Sequence, residues 1–193
     1  MTLEEFGMEV RKTLFIEGEP ETPNGNLRQG FEKLFAQKLT GKLPRIKLGG
    51  GKKSVVDQFL NNNFEGISFL LFDLDAPEEK REEDLQKNKL AKQGENVFYM
   101  IQEMESWFLS QPDILNEFYG ISTTGKKVSE KITLKRPAEI ANPKEELKRI
   151  TNGLNNKGVY QEIKHAVPLL KLLDATKLEN DFPDFKRLIE KLK

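Results

Sequence analysis

The sequence predicts an α/β fold, with a mostly parallel sheet flanked by helices and a small helical C-terminal extension. Short apolar runs that are typical of buried strands alternate with segments whose apolar residues recur at helical spacing. This alternation is typical of parallel sheets. The run GISFLLFDLD, at 66–75, is apolar on both faces, as expected for a central parallel strand. From residue 142 onwards only helical patterns follow, and these form the extension.

The predicted elements follow in order along the chain. Strands are expected at 13–18, 44–50, 66–75 and 95–103, and helices at 26–39, 53–63, 78–91 and 104–120. In the first helix, Leu27, Phe31 and Leu34 show the spacing of a buried face, and Thr40 and Gly41 end it. The extension has helical patterns at 142–154, 159–174 and 181–193. We therefore expect an α/β core at 1–120, followed at 121–193 by a basic linker and a helical extension packed on the core.

The composition excludes several classes of protein. The chain of 193 residues suits one mid-sized domain, and its 31 basic and 31 acidic residues predict no partner from net charge. The sequence has no cysteine, which excludes disulfides and thiolate metal sites and fits a reducing cytoplasm. No apolar run could span a bilayer, and the start MTLEEFGMEV lacks the regions of a signal peptide. We therefore expect a cytoplasmic protein without a membrane partner.

Acidic side chains follow three of the predicted strands. Asp73 and Asp75 are two residues apart, so on a strand they point to one face at its carboxyl end. Glu17 follows the apolar residues of a strand, in the segment FIEG, and Glu103 and Glu105 follow the strand VFYMI. In open α/β sheets that edge is where ligands bind. Because neighbouring carboxylates repel unless a cation lies between them, the pattern predicts a site for one or two Mg²⁺ or Mn²⁺ ions.

Other interpretations of these segments remain open. The acids could be exposed residues that cap the next helix or pair with Lys80 or Arg81. The segment DLDAP resembles the first motif of haloacid-dehalogenase phosphatases, in which Asp73 would be a nucleophile. That motif normally lies on the first strand and continues to a threonine, which disfavours this interpretation. The segment LGGGKKS lacks the spacing of a nucleotide-binding glycine loop, so a flexible basic loop is favoured.

Two basic segments raise the question of a phosphate-bearing partner. The segment 41–54 includes Lys47, Lys52 and Lys53 and has no acid, and the segment 124–137 includes Lys126 and Lys127. A solvated surface is the simpler interpretation of either segment alone. Two such loops in one small protein favour a partner that carries phosphates.

Short motifs across most of the chain resemble a known family. The segments IEGEPE (16–21), FDLD and MESWFL resemble the Toprim fold. Together with NPK, VYQEIKHAVPLLKLLD and FPDFKRLIEKL near the C-terminus, they resemble Toprim-like proteins related to the OLD (overcoming-lysogenization-defect) nucleases, which often occur in bacterial anti-phage loci. One departure is the pair Glu19–Pro20 after Gly18, where the family usually has a small residue and a threonine.

The resemblance implies Mg²⁺-dependent phosphodiester chemistry. Asp73, Asp75 and Glu105 would hold the metal, Glu17 would be a ligand or a general acid/base, and Glu21 would be a further acid. The basic side chains expected to bind nucleic-acid backbone are Lys47, Lys52, Lys53, Lys126 and Lys127.

The expected function is a nuclease that acts on DNA or RNA in defence against phage. The resemblance implies an ATPase partner of the ABC/OLD type, encoded in the same operon. The alternative is a non-catalytic subunit that keeps the Toprim scaffold and binds a partner ATPase or nucleic acid without cutting. Acids within reach of one ion would favour the nuclease, and acids tied up with lysines would favour the alternative.

Overall fold

A computed structural model describes residues 10–19, 26–120, 128–131, 136–154 and 157–193. The strands are β1 (Lys12–Ile16), β2 (Arg45–Leu48), β3 (Ile67–Asp73) and β4 (Val97–Met100). The α-helices are α1 (Leu27–Phe35), α2 (Lys52–Leu60), α3 (Arg81–Lys87), α4 (Glu105–Leu109), α5 (Pro112–Phe118), α6 (Pro143–Thr151), α7 (Glu162–Leu172), α8 (Ala175–Asp181) and α9 (Pro183–Leu192). Short 3-10 helices lie at Glu78–Lys80, Ala91–Asn96, Val128–Glu130 and Pro137–Glu139.

The four strands form one parallel sheet in the order β2-β1-β3-β4. Ile16 pairs in register with Leu48 on one side and with Leu71 on the other, and Asp73 pairs with Met100. All carboxyl ends therefore lie at one edge of the sheet. The predicted α/β fold with a parallel sheet and C-terminal helices is confirmed.

Side-chain alternation along the strands divides the core into two layers. In β1, Leu14 and Ile16 belong to a large apolar cluster with α1 and the C-terminal helices, whereas Phe15 belongs to a smaller cluster. Val55 of α2 and Leu85 of α3 are in that smaller cluster. Because successive side chains of a strand point to opposite faces, the sheet is covered by helices on both sides.

The C-terminal helices form much of the large layer. The ring of Trp107 in α4 lies 5.2 Å from that of Phe185 in α9. Gly30 of α1 faces α7, where a Cβ atom would come within 3.0 Å of Leu170. The side chain of Gln37 donates to the carbonyl of Leu173 at 2.8 Å. The helices after residue 142 therefore pack directly on the α/β core.

Three local features differ from the predicted pattern. The expected helix at 104–120 is two helices, because Pro112 restricts the residue before it and begins α5. The expected helix at 78–91 is a 3-10 turn followed by the short α3. The helix α8 was not predicted, and it begins where the Asp174 side chain accepts hydrogen bonds from the backbone N–H groups of Thr176 and Lys177. Within the described part of the chain, no helix has the length and apolar character needed to cross a membrane.

Candidate functional site

The candidate site lies where the order of the strands reverses. From β1 the chain passes to β2 on one side, and it then returns to β3 on the other side of β1. In open α/β sheets, ligands bind in the crevice outside the carboxyl ends of the strands at such a switch point. Glu17 directly follows β1, and Asp73 is the last residue of β3. The fold therefore puts one carboxylate on each strand that borders the crevice.

Glu17 and Asp73 are directly connected. The backbone N–H of Asp73 donates to Oε2 of Glu17 at 3.2 Å. The carboxylate of Asp73 in turn accepts a hydrogen bond from the backbone N–H of Met104 at 2.9 Å. Both acids are partly buried, and neither forms an ion pair with a lysine, arginine or histidine in the part of the chain that the structure describes. Backbone groups thus orient this pair, which we call the Glu17–Asp73 pair.

The surroundings of Glu17 and Asp73 make it unfavourable for both carboxyl groups to be ionised at the same time. Burial raises the pKa of Asp73 well above its ordinary value, and the nearby charges of Glu17, Glu105 and Asp75 raise it further. Burial also raises the pKa of Glu17, although the hydrogen bond from the Asp73 N–H opposes this effect. A bound proton or a cation would relieve the repulsion, so the pair has the electrostatics of a cation site.

Asp75 lies near this pair, but it has a basic partner. The strand β3 ends at Asp73, two residues earlier than predicted, and Asp75 has a left-handed backbone with φ 56°. Its half-exposed carboxylate forms an ion pair with Lys52 at 3.0 Å. The same ammonium contacts the carbonyl of Leu74 at 3.1 Å and the carboxylate of Asp84 at 3.2 Å. Lys52 thus neutralises the second acid of the DxD motif.

Glu105 is held by the C-terminal part of the chain. It is the first residue of α4 and is only 2% exposed, and its carboxylate accepts a hydrogen bond from the Tyr160 hydroxyl at 2.9 Å. Burial, with a smaller contribution from the charge of Glu162, raises the pKa of Glu105 to about 7. Lys144 acts in the opposite direction. The charge of Glu105 also raises the pKa of Asp73, but the hydrogen-bond partner of the Glu105 carboxylate is Tyr160.

Two contacts at this edge were missed by sequence reasoning. The Tyr160 hydroxyl binds Glu105, and the backbone N–H of Lys144 donates to Glu103 at 3.0 Å. These partners are 55 and 41 residues apart in the sequence, respectively. No local periodicity connects residues at such separations, so the sequence offered no signal for either contact.

The donor set suits a cation that needs few protein ligands. Among the described residues, no three acidic or histidine side chains converge on one point closely enough to hold a metal ion. The Glu17–Asp73 pair supplies two carboxylates, and Glu21 lies outside the described residues. Mg²⁺ usually binds through one or two carboxylates and keeps several waters or substrate phosphates. The residues present therefore fit a Mg²⁺-type site of two carboxylates rather than a closed cage.

The predicted basic residues are spread over two places. Lys52 lies at the site, and Lys53 follows it as an exposed residue in the first turn of α2. Lys47, on β2, is partly buried and has its ammonium 5.4 Å from the centre of the Phe64 ring. Lys126 and Lys127 lie outside the described residues. Among the predicted basic residues that the structure describes, Lys52 is the one that contacts an acid of the site.

Comparison with known proteins identifies one family. The sequence model of the family described as "Domain of unknown function (DUF4276)" matches residues 17–193. Because this match spans most of the chain, the protein belongs to that family. No curated protein and no solved structure matches the chain significantly.

Proposed function

We propose that this member of the DUF4276 family is a divalent-metal-dependent nuclease of Toprim type, which hydrolyses phosphodiester bonds of DNA or RNA with Mg²⁺ or Mn²⁺. One observation carries the proposal: Glu17 and Asp73 adjoin at the switch point of a parallel sheet, and each has a raised pKa. Paired carboxylates of this kind favour a hard cation. The position of the pair matches the general ligand-binding crevice of open α/β sheets.

The proposed chemistry assigns different tasks to the two acids. A divalent ion at such a site supplies charge stabilisation to a phosphoryl group and lowers the pKa of a bound water. Asp73, oriented by the Met104 N–H, is the proposed principal ligand. Glu17 is the proposed ligand or general base, because a carboxylate with a raised pKa accepts a proton from water more readily than an ordinary one.

Basic groups at the same edge would bind the substrate backbone. Lys52 lies beside Asp75, and Lys53 is exposed in the next position. In the proposed complex a substrate phosphate competes with the carboxylate of Asp75 for the Lys52 ammonium. Such phosphate contacts are independent of base sequence and weaken as salt increases.

The resemblance to OLD-related proteins extends the proposal to a biological setting. The proposed role is an effector in bacterial defence against phage. The proposed partners are nucleic acid and an ATPase of the ABC/OLD type encoded in the same operon. The proposed compartment is the cytoplasm, where the nucleic acid of an infecting phage would be met.

A second candidate is a non-catalytic Toprim-like subunit that binds a partner ATPase or nucleic acid. The observation that favours it is the engagement of the other two acids. Asp75 pairs with Lys52, and Glu105 binds the Tyr160 hydroxyl. If these contacts persist in solution with metal present, Glu17 and Asp73 would be the two of these four acids left to bind the ion and catalyse hydrolysis.

The test is cleavage of mixed DNA and RNA substrates by the purified protein with Mg²⁺, Mn²⁺ or EDTA. Asp73→Asn keeps the side-chain shape and the Met104 contact but removes the charge, and Glu17→Gln does the same at the neighbouring acid. Glu190→Gln, at an exposed position of α9, is the matched control. We expect metal-dependent cleavage that falls at least about a hundredfold in the two site variants, comparable to the loss of a transition-state contact worth about 3 kcal/mol.

The outcomes separate the two candidates. Cleavage that persists in Asp73→Asn would refute the assignment of the site. If the unmodified protein does not cleave, calorimetric titration with Mn²⁺ decides between a latent enzyme and a binding subunit. An ion bound by the wild type and lost in Asp73→Asn would support a latent enzyme, whereas no bound ion would support the non-catalytic subunit.

A further inference from the structure

A large cleft lies at the opposite edge of the sheet from the Glu17–Asp73 pair. Its volume is about 1020 Å³, and its walls include the residues that begin β1 and β2 and the segment that leads into β3. In a parallel sheet these are the amino ends of the strands, whereas the pair lies at the carboxyl ends. We call it the amino-edge cleft.

The amino-edge cleft is strongly basic. Its basic side chains are Arg11, Lys12, Lys42, Arg45 and Lys193. The acidic side chain on its described wall is Glu65. None of these basic groups forms an ion pair within the described residues, and all except Lys12 are exposed. Although they come from separate segments of the chain, they line one cleft, so a ligand of extended shape could contact several of them at once.

An exposed aromatic ring lies among these charges. Phe64 is 38% exposed, which is unusual among the large apolar side chains of this protein. The guanidinium of Arg45 lies 4.9 Å from the centre of the Phe64 ring, and the ammonium of Lys47 lies 5.4 Å from it. Arg45 and Lys47 are two apart on β2 and so share one face of this edge strand. The exposed part of the Phe64 ring offers a flat apolar surface for stacking, with the two cations beside it.

We propose that the amino-edge cleft binds a segment of single-stranded nucleic acid. Proteins that bind single strands combine a basic groove, which follows the phosphates, with aromatic side chains on which bases stack. Arg11, Lys42 and Arg45 bind phosphates, and Phe64 stacks on a base. The edge strand β2 leads from this cleft to Lys52 at the other edge, so one strand could contact both places. The binding itself needs no metal ion and no hydrolysis.

The test measures binding separately from cutting. A short fluorescent oligothymidylate, and its oligouridylate counterpart, are titrated with the full chain in EDTA and followed by anisotropy at several salt concentrations. The first variant is Lys42→Glu with Arg45→Glu, and the matched control is Lys164→Glu with Lys186→Glu, which changes the net charge equally at exposed positions of α7 and α9. A third variant, Phe64→Ala, removes the ring alone.

The expected results differ between charge and stacking. The wild type binds the oligonucleotides, and the double variant Lys42→Glu with Arg45→Glu weakens binding at least about tenfold. The double variant also reduces the slope of log affinity against log salt by about 1.4, because each of the two lost phosphate contacts contributes about 0.7. Phe64→Ala weakens binding about fivefold or more and leaves the salt slope unchanged. The control double variant binds within about threefold of the wild type.

Several results would overturn the proposal. These are no binding by the wild type, equal losses in the control and cleft variants, and full binding by Phe64→Ala. Preferential binding of a duplex of the same length, or equal competition by a mononucleotide, would also overturn it. A failed cleavage assay with intact oligonucleotide binding would keep the amino-edge cleft, and the calorimetric titration with Mn²⁺ would then decide about the nuclease separately.

Discussion

Replacing Glu105 with glutamine removes a buried acid whose pKa lies near neutrality. Burial raises the pKa of Glu105 from the ordinary 4.5 to about 7, and its carboxylate accepts a hydrogen bond from the Tyr160 hydroxyl. Between these two values the folded protein keeps a proton that the unfolded chain has lost. Stability therefore falls as pH rises through this window, because the unfolded state binds fewer protons. Glutamine can still accept a hydrogen bond from the Tyr160 hydroxyl, but it does not titrate.

The size of the effect follows from the two pKa values. A difference of one bound proton changes the free energy of unfolding by about 1.4 kcal/mol for each pH unit. At about pH 5 the unfolded carboxyl is already largely ionised, and above about pH 7 the folded one ionises too. We therefore expect the wild type to lose about 2.5 kcal/mol relative to Glu105→Gln between about pH 5 and pH 8.

The measurement is urea unfolding followed by the fluorescence of Trp107, the single tryptophan, which is fully buried. Free energies are extrapolated linearly to water at both pH values. EDTA is present, so that no metal ion binds the neighbouring acids. The titrating groups that do not interact with Glu105 contribute equally in both proteins, so their contributions cancel in the comparison. Asp73, whose pKa the charge of Glu105 raises, is the group whose contribution differs. Glu190→Gln, at an exposed position, should differ from the wild type equally at the two pH values.

One result would refute this reasoning. If the wild type and Glu105→Gln lose stability in parallel between the two pH values, Glu105 does not hold an extra proton in the folded state. Its carboxylate would then be ionised at about pH 5 as in the unfolded chain. Such an outcome would mean that the contact with Tyr160 and the nearby Lys144 outweigh the effect of burial.

The remaining predictions concern the glycine loop and Lys52. Gly49→Ala should cost about 1–3 kcal/mol of unfolding free energy, because a Cβ atom there would lie 2.6 Å from Val55. Gly51→Ala should cost less than about 1 kcal/mol, because a Cβ atom at Gly51 would face open space. Equal shifts of the urea midpoint in the two variants would contradict the packing argument. Lys52→Met frees Asp75 and removes a positive charge, so Mn²⁺ binding measured by calorimetry should tighten about fivefold. Weaker binding would show that Lys52 organises the site instead.

Much of the fold could be predicted because local periodicity reports burial. The apolar run at 66–75 predicts a central strand, and β3 lies between β1 and β4 in the sheet. The ends of elements were less predictable. The apolar pattern predicts that β3 continues to Asp75, but the strand ends at Asp73, and Asp75 has a left-handed backbone. The interruption at Pro112 was encoded locally, since proline restricts the preceding residue and cannot donate a hydrogen bond.

The candidate site was only partly predictable. The rule that parallel strands end at one edge predicts that Glu17 and Asp73 meet, and their hydrogen bond agrees with it. The same rule treats Asp75 and Glu105 as equivalent members of the cluster. In the structure Asp75 pairs with Lys52, and Glu105 binds Tyr160. Which acid finds a partner depends on side chains from distant segments, which strand patterns do not describe.

The sequence by itself determined the fold class, the central strand and the placement of acids after neighbouring strands. These features follow from short-range periodicity, because burial of one face repeats every two residues in a strand and every three to four in a helix. Only the tertiary structure decided the strand order, the contact of Tyr160 with Glu105 and the basic amino-edge cleft. Each of these depends on packing between segments tens of residues apart, and such pairing is decided by the complementarity of whole surfaces rather than by any local pattern.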